Sequence, residues 1–421
     1  MLTYNEGVQI DLSSIKVDDN WSYTKKKEKK IHKIHVYPAK FPSFITGKAI
    51  SYAQSKGVEV HKIGDVFCGC GTVAYEANRN NIDFFGCDIN PVATMISKVK
   101  STKYKESTLE KYFRLVINDF DKLDNKSYYQ EANERLKYWY DKETYNNLFL
   151  LKQSILKNIS SKSNYQLFFL CAFSNILKPT SRWLSVSIKP QVDPNKPKID
   201  VINAFKKQYK FMYQANIEAE FNITNSNIRV GSVLSNTINC ENIDLLVTSP
   251  PYTTSYEYAD LHQLSSLWLD YTSDYKSLRK GSIGSSFHIG AINTDRLNFV
   301  GKKVINEVLK KDKTRIKGVC KYFLDMQKAA KNIYKMLSYN GVGVFVIGNT
   351  EIRGVLIDNA THLSQSLLEA GFKNIEITKR KISNKYLTSY RDKNGRFTSN
   401  KNGKDTRLIY SEEFIVSCQK I

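Results

Sequence analysis

The chain has 421 residues and a formal net charge of +22, from 63 Lys and Arg against 41 Asp and Glu, with a pI of about 9.4. That length allows a large core and more than one domain, and a surplus of positive charge this size favours a polyanionic partner through counterion release from phosphates. No run reaches the roughly 18 apolar residues of a membrane helix, and Met1-Leu-Thr-Tyr-Asn-Glu6 has no signal-peptide pattern, so a soluble cytoplasmic protein is expected, with no membrane association.

Residues 1–30 read as a polar, basic N-terminal tail ending in Lys25-Lys-Lys-Glu-Lys-Lys30, solvated or touching phosphate. Residues 31–100 hold a first βαβ unit. His35-Val-Tyr-Pro-Ala-Lys-Phe-Pro42 is a proline-bounded aromatic segment followed by a helix from Ser43. An apolar run around Ile63 then enters Asp65-Val-Phe-Cys-Gly-Cys-Gly-Thr72, and a helical pattern continues from Val73 to Asn78. Gly69 and Gly71 permit a tight strand-to-helix turn and close approach of a ligand to the backbone. A second strand, Phe84 to Asp88, precedes Ile89-Asn-Pro91 and sets Asp88 at a strand end, where it can accept hydrogen bonds from ribose hydroxyls.

Residues 101–226 read as a mostly helical insertion, with helix-like apolar spacing over 109–120, 132–140, 145–155, 165–177 and 201–213. A loop rich in Ser, Pro and Lys, 178–198, interrupts it. Further strands are expected at 228–233, 243–247 and 341–347, helices at 322–337 and 363–368, and a closing antiparallel pair at 374–382 and 413–418. Strand and helix alternate, so the expected class is α/β with a Rossmann-like, mostly parallel sheet and an antiparallel last strand. The seven cysteines are odd in number and scattered, without the paired spacing of a zinc site, so no metal is expected and buried thiols are the reading. No Pro-Cys dipeptide occurs, which disfavours methylation of cytosine carbon-5.

Asp244-Leu-Leu-Val-Thr-Ser-Pro-Pro-Tyr252 carries the most chemistry. A buried parallel strand stops abruptly, because Pro250 has no amide hydrogen for a ladder and Pro251 fixes the turn. A hydroxyl, rigid carbonyls and an aromatic ring therefore stand together at a strand end, where open α/β sheets bind ligands. Carbonyls accept from an amino group and a tyrosine ring stacks on a flat base.

This segment resembles the catalytic motif of amino-directed, SPPY-type DNA methyltransferases, which act on cytosine N4 or adenine N6. Asp65 to Thr72 is similar to their S-adenosylmethionine loop, Asp88-Ile-Asn-Pro91 to their second cofactor motif, and residues 35–42 to a segment beside the methionine end of the cofactor. Leu278-Arg-Lys-Gly-Ser-Ile-Gly-Ser285 is a further echo. The loose G-x-G-x-x-A pattern at 69–74 also fits NAD proteins, but Asp65, Phe67 and Asp88-Ile-Asn-Pro91 match the methyltransferases and no hydride-transfer constellation follows. The family's third strand ends Gly-Asp; Gly231-Ser232 stands here, so that contact is weaker or made otherwise.

The resemblance covers much of 31–100 and 228–350 and implies an S-adenosylmethionine-dependent methyltransferase domain over 31–100 and 227–421, with residues 101–226 as candidate target-recognition region. It implies a catalytic set of Ser249, Pro250, Pro251 and Tyr252. The cofactor set is Tyr37, Pro38, Lys40, Asp65, Phe67, Gly69, Gly71, Thr72, Asp88, Ile89, Ser232 and Thr248. Between Lys379 and Arg407 lie ten Lys or Arg and two Asp, with Tyr386, Tyr390 and Phe397 interleaved, a mixture suited to lying against a DNA backbone. Candidate nucleic-acid contacts are thus Lys393, Arg396, Lys401 and Lys404, with Arg182 and Lys189 in the insertion and Arg279 and Lys280 after the catalytic turn. The expected function is methylation of double-stranded DNA at the exocyclic amine of a flipped base, cytosine N4 foremost, in a restriction–modification setting with a separately acting endonuclease. Adenine N6 remains the second reading, a catalytically inactive nucleic-acid-binding relative the third, and RNA as substrate stays open.

Overall fold

The β-branched and aromatic runs of the chain assemble into one twisted sheet. The computed structural model describes residues 2–4, 12–22, 27–38, 40, 42–122, 127–235, 238, 240–253, 257–285, 287, 292–382, 390–391, 398, 400–403, 406–408 and 412–421. The strands are β1 Leu2–Thr3, β2 Lys62–Asp65, β3 Asp83–Asp88, β4 Ser226–Val230, β5 Ile243–Thr248, β6 Leu337–Ile347, β7 Thr350–Ile352, β8 Val355–Ile357, β9 Lys373–Lys381, β10 Tyr390–Arg391, β11 Arg407–Leu408 and β12 Glu412–Gln419. Eight of them form the main sheet in the order β1-β9-β12-β6-β5-β2-β3-β4, while β7–β8 and β10–β11 are separate two-stranded ribbons. Strands β6, β5, β2, β3 and β4 run parallel to one another, whereas β12 is antiparallel to both β6 and β9. This is the expected α/β class, a Rossmann-like, mostly parallel sheet with an antiparallel last strand.

Helices cover both faces. They are α1 Phe44–Ser55, α2 Thr72–Arg79, α3 Pro91–Lys100, α4 Glu106–Phe120, α5 Glu134–Trp139, α6 Lys142–Asn158, α7 Asn164–Thr180, α8 Val201–Glu218, α9 Tyr258–Leu261, α10 Gln263–Trp268, α11 Phe299–Lys311, α12 Ile316–Met336 and α13 Asn359–Ala370. The period-two alternation of a strand divides β6 between two cores. Val342, Val344 and Val346 pack with Ile45, Ala49 and Ala53 of α1, while Phe345 and Ile347 pack with Phe323 and Met326 of α12 and Leu363 and Leu367 of α13. Helices α4 to α8 make up the insertion. Their buried Trp139, Phe168, Phe169, Phe173 and Phe205 share one core with Val92, Ile96 and Val99 of α3 and with Leu264 and Trp268 of α10.

The N-terminal segment is a correction to the sequence reading. Residues 1–30 were expected as a solvated tail, yet β1 pairs antiparallel with β9, Leu2 opposite Ile377. Tyr4, Leu12, Ile15 and Trp21 are buried, so apolar residues spaced too irregularly to signal an element decide the outcome. The described part of the lysine run is engaged too: Lys29 pairs with Glu220 and Lys30 with Glu218. Among the described residues, no helix is long and apolar enough to cross a membrane.

Candidate active site

The chain leaves β2 toward β3 and β4 on one side, then returns to β5 on the other. The carboxyl ends of β2 and β5 thus flank a topological switch point, the ligand crevice of an open α/β sheet. Thr248 ends β5, Asp65 ends β2, and the Thr248 hydroxyl donates to Asp65 Oδ1 at 2.6 Å. The Phe67 amide donates to the same oxygen at 3.1 Å. Burial pushes the Asp65 carboxyl up to about 7 even though both donors pull it down. Thr248 is fully buried, and its hydroxyl bridges the ends of two strands by bonding Asp65.

Past Asp65 the chain turns through Gly69 and Gly71, at φ +46° and +73°, in the left-handed region that favours glycine. A Cβ on Gly71 would stand 2.6 Å from Ser97 Cα in α3, so the turn presses directly on that helix. Both Asp88 oxygens accept backbone amides, Oδ2 from Gly69 and Oδ1 from Asn90, each at 2.9 Å. Burial raises its carboxyl above the ordinary range. Thr72 opens α2 with its hydroxyl buried and without a hydrogen bond, and Phe67 stays partly buried. The Tyr37 ring lies beside Gly69 and stacks on Tyr258 and His262, at centroid distances of 5.8 and 5.1 Å. Pro38 follows it. Lys40 is turned inward, donating to Glu28 at 2.7 Å and to the His32 carbonyl at 2.9 Å. At the end of β4 the Gly231 amide donates to the Asp88 carbonyl, and the Ser232 hydroxyl accepts from Leu234 at 3.2 Å.

The residues expected to form the catalytic turn follow β5 without a break. Ser249 donates its hydroxyl hydrogen to the Val346 carbonyl of β6 at 3.0 Å. Pro250 and Pro251 carry the chain to Tyr252, whose hydroxyl donates to Glu413 Oε1 at 3.1 Å. Burial first, then Glu413, holds that phenol well above its ordinary pKa. The Tyr252 ring packs over Gly348, where a Cβ would meet it at 2.8 Å. The glycines of the 278–285 echo lie over the two ends of the crevice. Gly281 sits against Ile89 and Gly284 against the Tyr252 carbonyl.

Two residues that hold Tyr252 escaped the sequence reading. Glu413 on β12 faces Arg380 on β9, and their side chains pair at 3.2 Å with Arg380 almost wholly buried. The only signal was a pair of acids, Glu412 and Glu413, leading into the apolar run of β12, and their partners are set by register. The basic stretch from Lys379 is corrected at its start: Lys379 and Arg380 are buried sheet residues paired to Glu412 and Glu413.

The other basic candidates divide by whether the side chain is engaged, and Arg182 is exposed yet bonded. Lys189, Lys280 and Lys401 are exposed, Lys401 with its ammonium 6.0 Å from the Tyr390 ring. Arg279 is held in a two-pronged pair with Asp260 at 2.9 and 2.7 Å and lies over Phe287. Arg182 donates to the Lys137 and Tyr138 carbonyls, tying α5 to the loop after α7. Lys393, Arg396 and Lys404 lie outside the described residues.

No family model matches the chain. Over 416 residues, 90% of this chain and 91% of the relative, it is 26% identical to the Type II methyltransferase M.MvaI of Kocuria varians. Solved structures similar to it include the rRNA methyltransferase AviRa of Streptomyces viridochromogenes, 7% identical with a TM-score of 0.28 over 92% of this chain and 91% of that one. A SAM-dependent methyltransferase of Methanosarcina mazei gives 8% identity and 0.30 over 92% and 99%. Superpositions that loose carry no weight for fold or chemistry. The sequence similarity does, because a span that long runs through the helices of the insertion as well as both ends of the crevice.

Proposed function

We propose that the protein is an S-adenosylmethionine-dependent DNA methyltransferase acting on the exocyclic amine of a flipped base, cytosine N4 foremost, within a restriction–modification setting. The observation that carries the reading is the Ser249 hydroxyl. Its hydrogen is committed to Val346, so its lone pairs are the part left to meet an incoming amine. A group that can only accept suits a nucleobase NH₂. The whole-length similarity to a Type II methyltransferase supports the same reading.

The residues fit the cofactor. The glycine turn leaves no room for a Cβ at Gly71, and Asp88 stands at the strand end with its carboxylate steered by two amides. Asp88 would accept the ribose hydroxyls, with the Tyr37 to Phe67 wall and Ile89 around the rest. When bound, S-adenosylmethionine supplies the electrophilic methyl group.

The chain's own residues do the remainder. A base inside a duplex cannot reach a strand-end crevice, so it is taken out of the stack at a cost of a few kcal/mol. Tyr252 offers its exposed ring surface to that base. Ser249 and the Pro250 carbonyl accept the amine hydrogens, orienting the nitrogen lone pair and withdrawing charge as the bond to carbon forms. Most of the rate gain comes from alignment. Ser249 cannot serve as base while its oxygen is accepting, and the proton leaves to solvent afterwards. The N4 preference rests on Ser249, where adenine-directed relatives of the group more often have Asp.

The test is tritiated-methyl transfer to plasmid DNA, followed by long-read sequencing of DNA from a host expressing the gene. Label in DNA with a cytosine-N4 signature is the expected result. An adenine-N6 signature would keep the chemistry and change the base; absence of label would overturn the reading.

A further inference from the structure

The loop after α7, read from sequence only as a Ser-, Pro- and Lys-rich interruption, is a built hairpin. Trp183 bridges Val192 antiparallel. Leu184 donates its amide to the Gln191 carbonyl, and Asp193 to the Arg182 carbonyl, each at 2.8 Å. Trp183 is buried beneath it and stacks on Trp139 of α5 at 5.0 Å, with its indole N–H on the Ser187 carbonyl. Two lysines are spent on holding the backbone. Lys178 donates to the Ser187 carbonyl at 2.8 Å, and Lys196 to those of Lys178 and Trp183 at 2.9 and 2.8 Å. A loop with no task beyond spanning a gap needs none of this.

The anchored base carries an unusual tip. Val186 is 84% exposed, and Lys189 and Gln191 are exposed beside it. From Arg182 to Val192 there is no acidic residue. A single exposed apolar side chain is ordinary on a protein surface; this one stands near the tip of a hydrogen-bonded hairpin whose single acid, Asp193, lies at its base. The base is also wired to the crevice. Trp139 donates its indole N–H to Gln263 of α10 at 3.1 Å, and Arg135 of α5 donates to the same oxygen at 2.6 Å. Helix α10 belongs to the segment between Tyr252 and Gly284, so the base of the finger is hydrogen-bonded to the segment that follows Tyr252.

We propose that residues 182–193 form a reading finger that enters a groove of duplex DNA, with Val186 against base edges and Lys189 on a phosphate. This rests on the DNA methyltransferase reading and names which part of the insertion selects the sequence. An apolar β-branched tip meets a thymine methyl or the edge of a base step, and a neighbouring lysine neutralises one phosphate. Arg182, tied to α5, supports the finger and does not read.

Three variants, Val186→Ala, Val186→Asp and Lys189→Ala, separate the roles, and the exposure of both positions spares the fold. Each full-length protein is assayed for kcat/KM on its preferred duplex and on single-base variants, with long-read sequencing of host DNA. Expected is a loss of discrimination of about tenfold at one base position for Val186→Ala, and a larger loss of all methylation for Val186→Asp. Lys189→Ala should lower the log–log salt slope by about one and weaken all sequences alike. A wild type that methylates DNA, with Val186→Asp matching it in rate and sequence preference, would overturn the finger alone. A wild type that transfers no methyl to DNA would overturn the finger together with the reading beneath it.

Discussion

Asp65 shows how a single buried carboxyl can govern the unliganded protein. Its folded pKa of about 7 lies above the ordinary 3.8, so the folded state holds the proton more tightly than the unfolded state does. Stability therefore falls as pH rises from about 4 to 7 and stays low above that, by about 4 kcal/mol in all for a shift of roughly three units. Asp65→Asn keeps an acceptor for Thr248 and removes the charge. Thermal melts should show the unliganded variant gaining on wild type by about 2–3 kcal/mol between pH 5 and pH 8. A constant difference across that range would detach Asp65 from the titration. At the catalytic turn, Ser249→Ala removes one acceptor from a developing charge, a loss of about 10- to 100-fold in methyl transfer with cofactor binding kept. Tyr252→Phe should cost less than Tyr252→Ala, because the ring keeps its seat on Gly348 and loses only the contacts of its hydroxyl with Glu413 and Ser249. Equal losses in filter-binding assays of tritium transfer would contradict a stacking role. The places of Asp65, the two glycines, Asp88 and Ser249 at strand ends and in a turn were legible because short-range chemistry fixes them: a turn, a strand end, a missing amide. Glu413 and Arg380, and the bond from Thr248 to Asp65, were missed because such partners are set by strand register, which local sequence does not carry.

At the scale of elements, the helices of the insertion and the central strands were readable to within a few residues from apolar spacing alone. β6 and α12 each begin a turn or so before their apolar cores, where polar residues Ser338 and Asn340 extend the strand and Lys317 the helix. The N-terminal strand was illegible: two residues long, it owes its existence to an open edge on β9. Tyr4, Leu12, Ile15 and Trp21 bury roughly 1.5–3 kcal/mol each before ordering costs. Deleting residues 1–22 should therefore lower the melting temperature and bare the β9 edge, a template for pairing with another chain. Size-exclusion chromatography is expected to show concentration-dependent self-association of the truncated protein; a monodisperse monomer of unchanged stability would refute this.

For the whole molecule, a charge of +22 predicts DNA affinity that falls steeply with salt, by about −0.9 in log–log slope per neutralised phosphate. Anisotropy with cognate and scrambled duplexes should give similar slopes for both, since phosphate contacts position and base contacts specify. Replacing Lys393, Arg396, Lys401 and Lys404 by alanine should lower that slope, and an unchanged slope would make the stretch an ordinary solvated loop. The order of the sheet has a separate consequence, for synthesis. β12 sits between β6 and β9, so the central sheet cannot close until residue 419 has left the ribosome. At about 5–20 residues per second, β6 waits roughly 4 to 14 seconds for its neighbour with its edge bare. The nascent chain thus spends a fixed interval as an incomplete sheet, and during that interval chaperone capture or aggregation competes with folding.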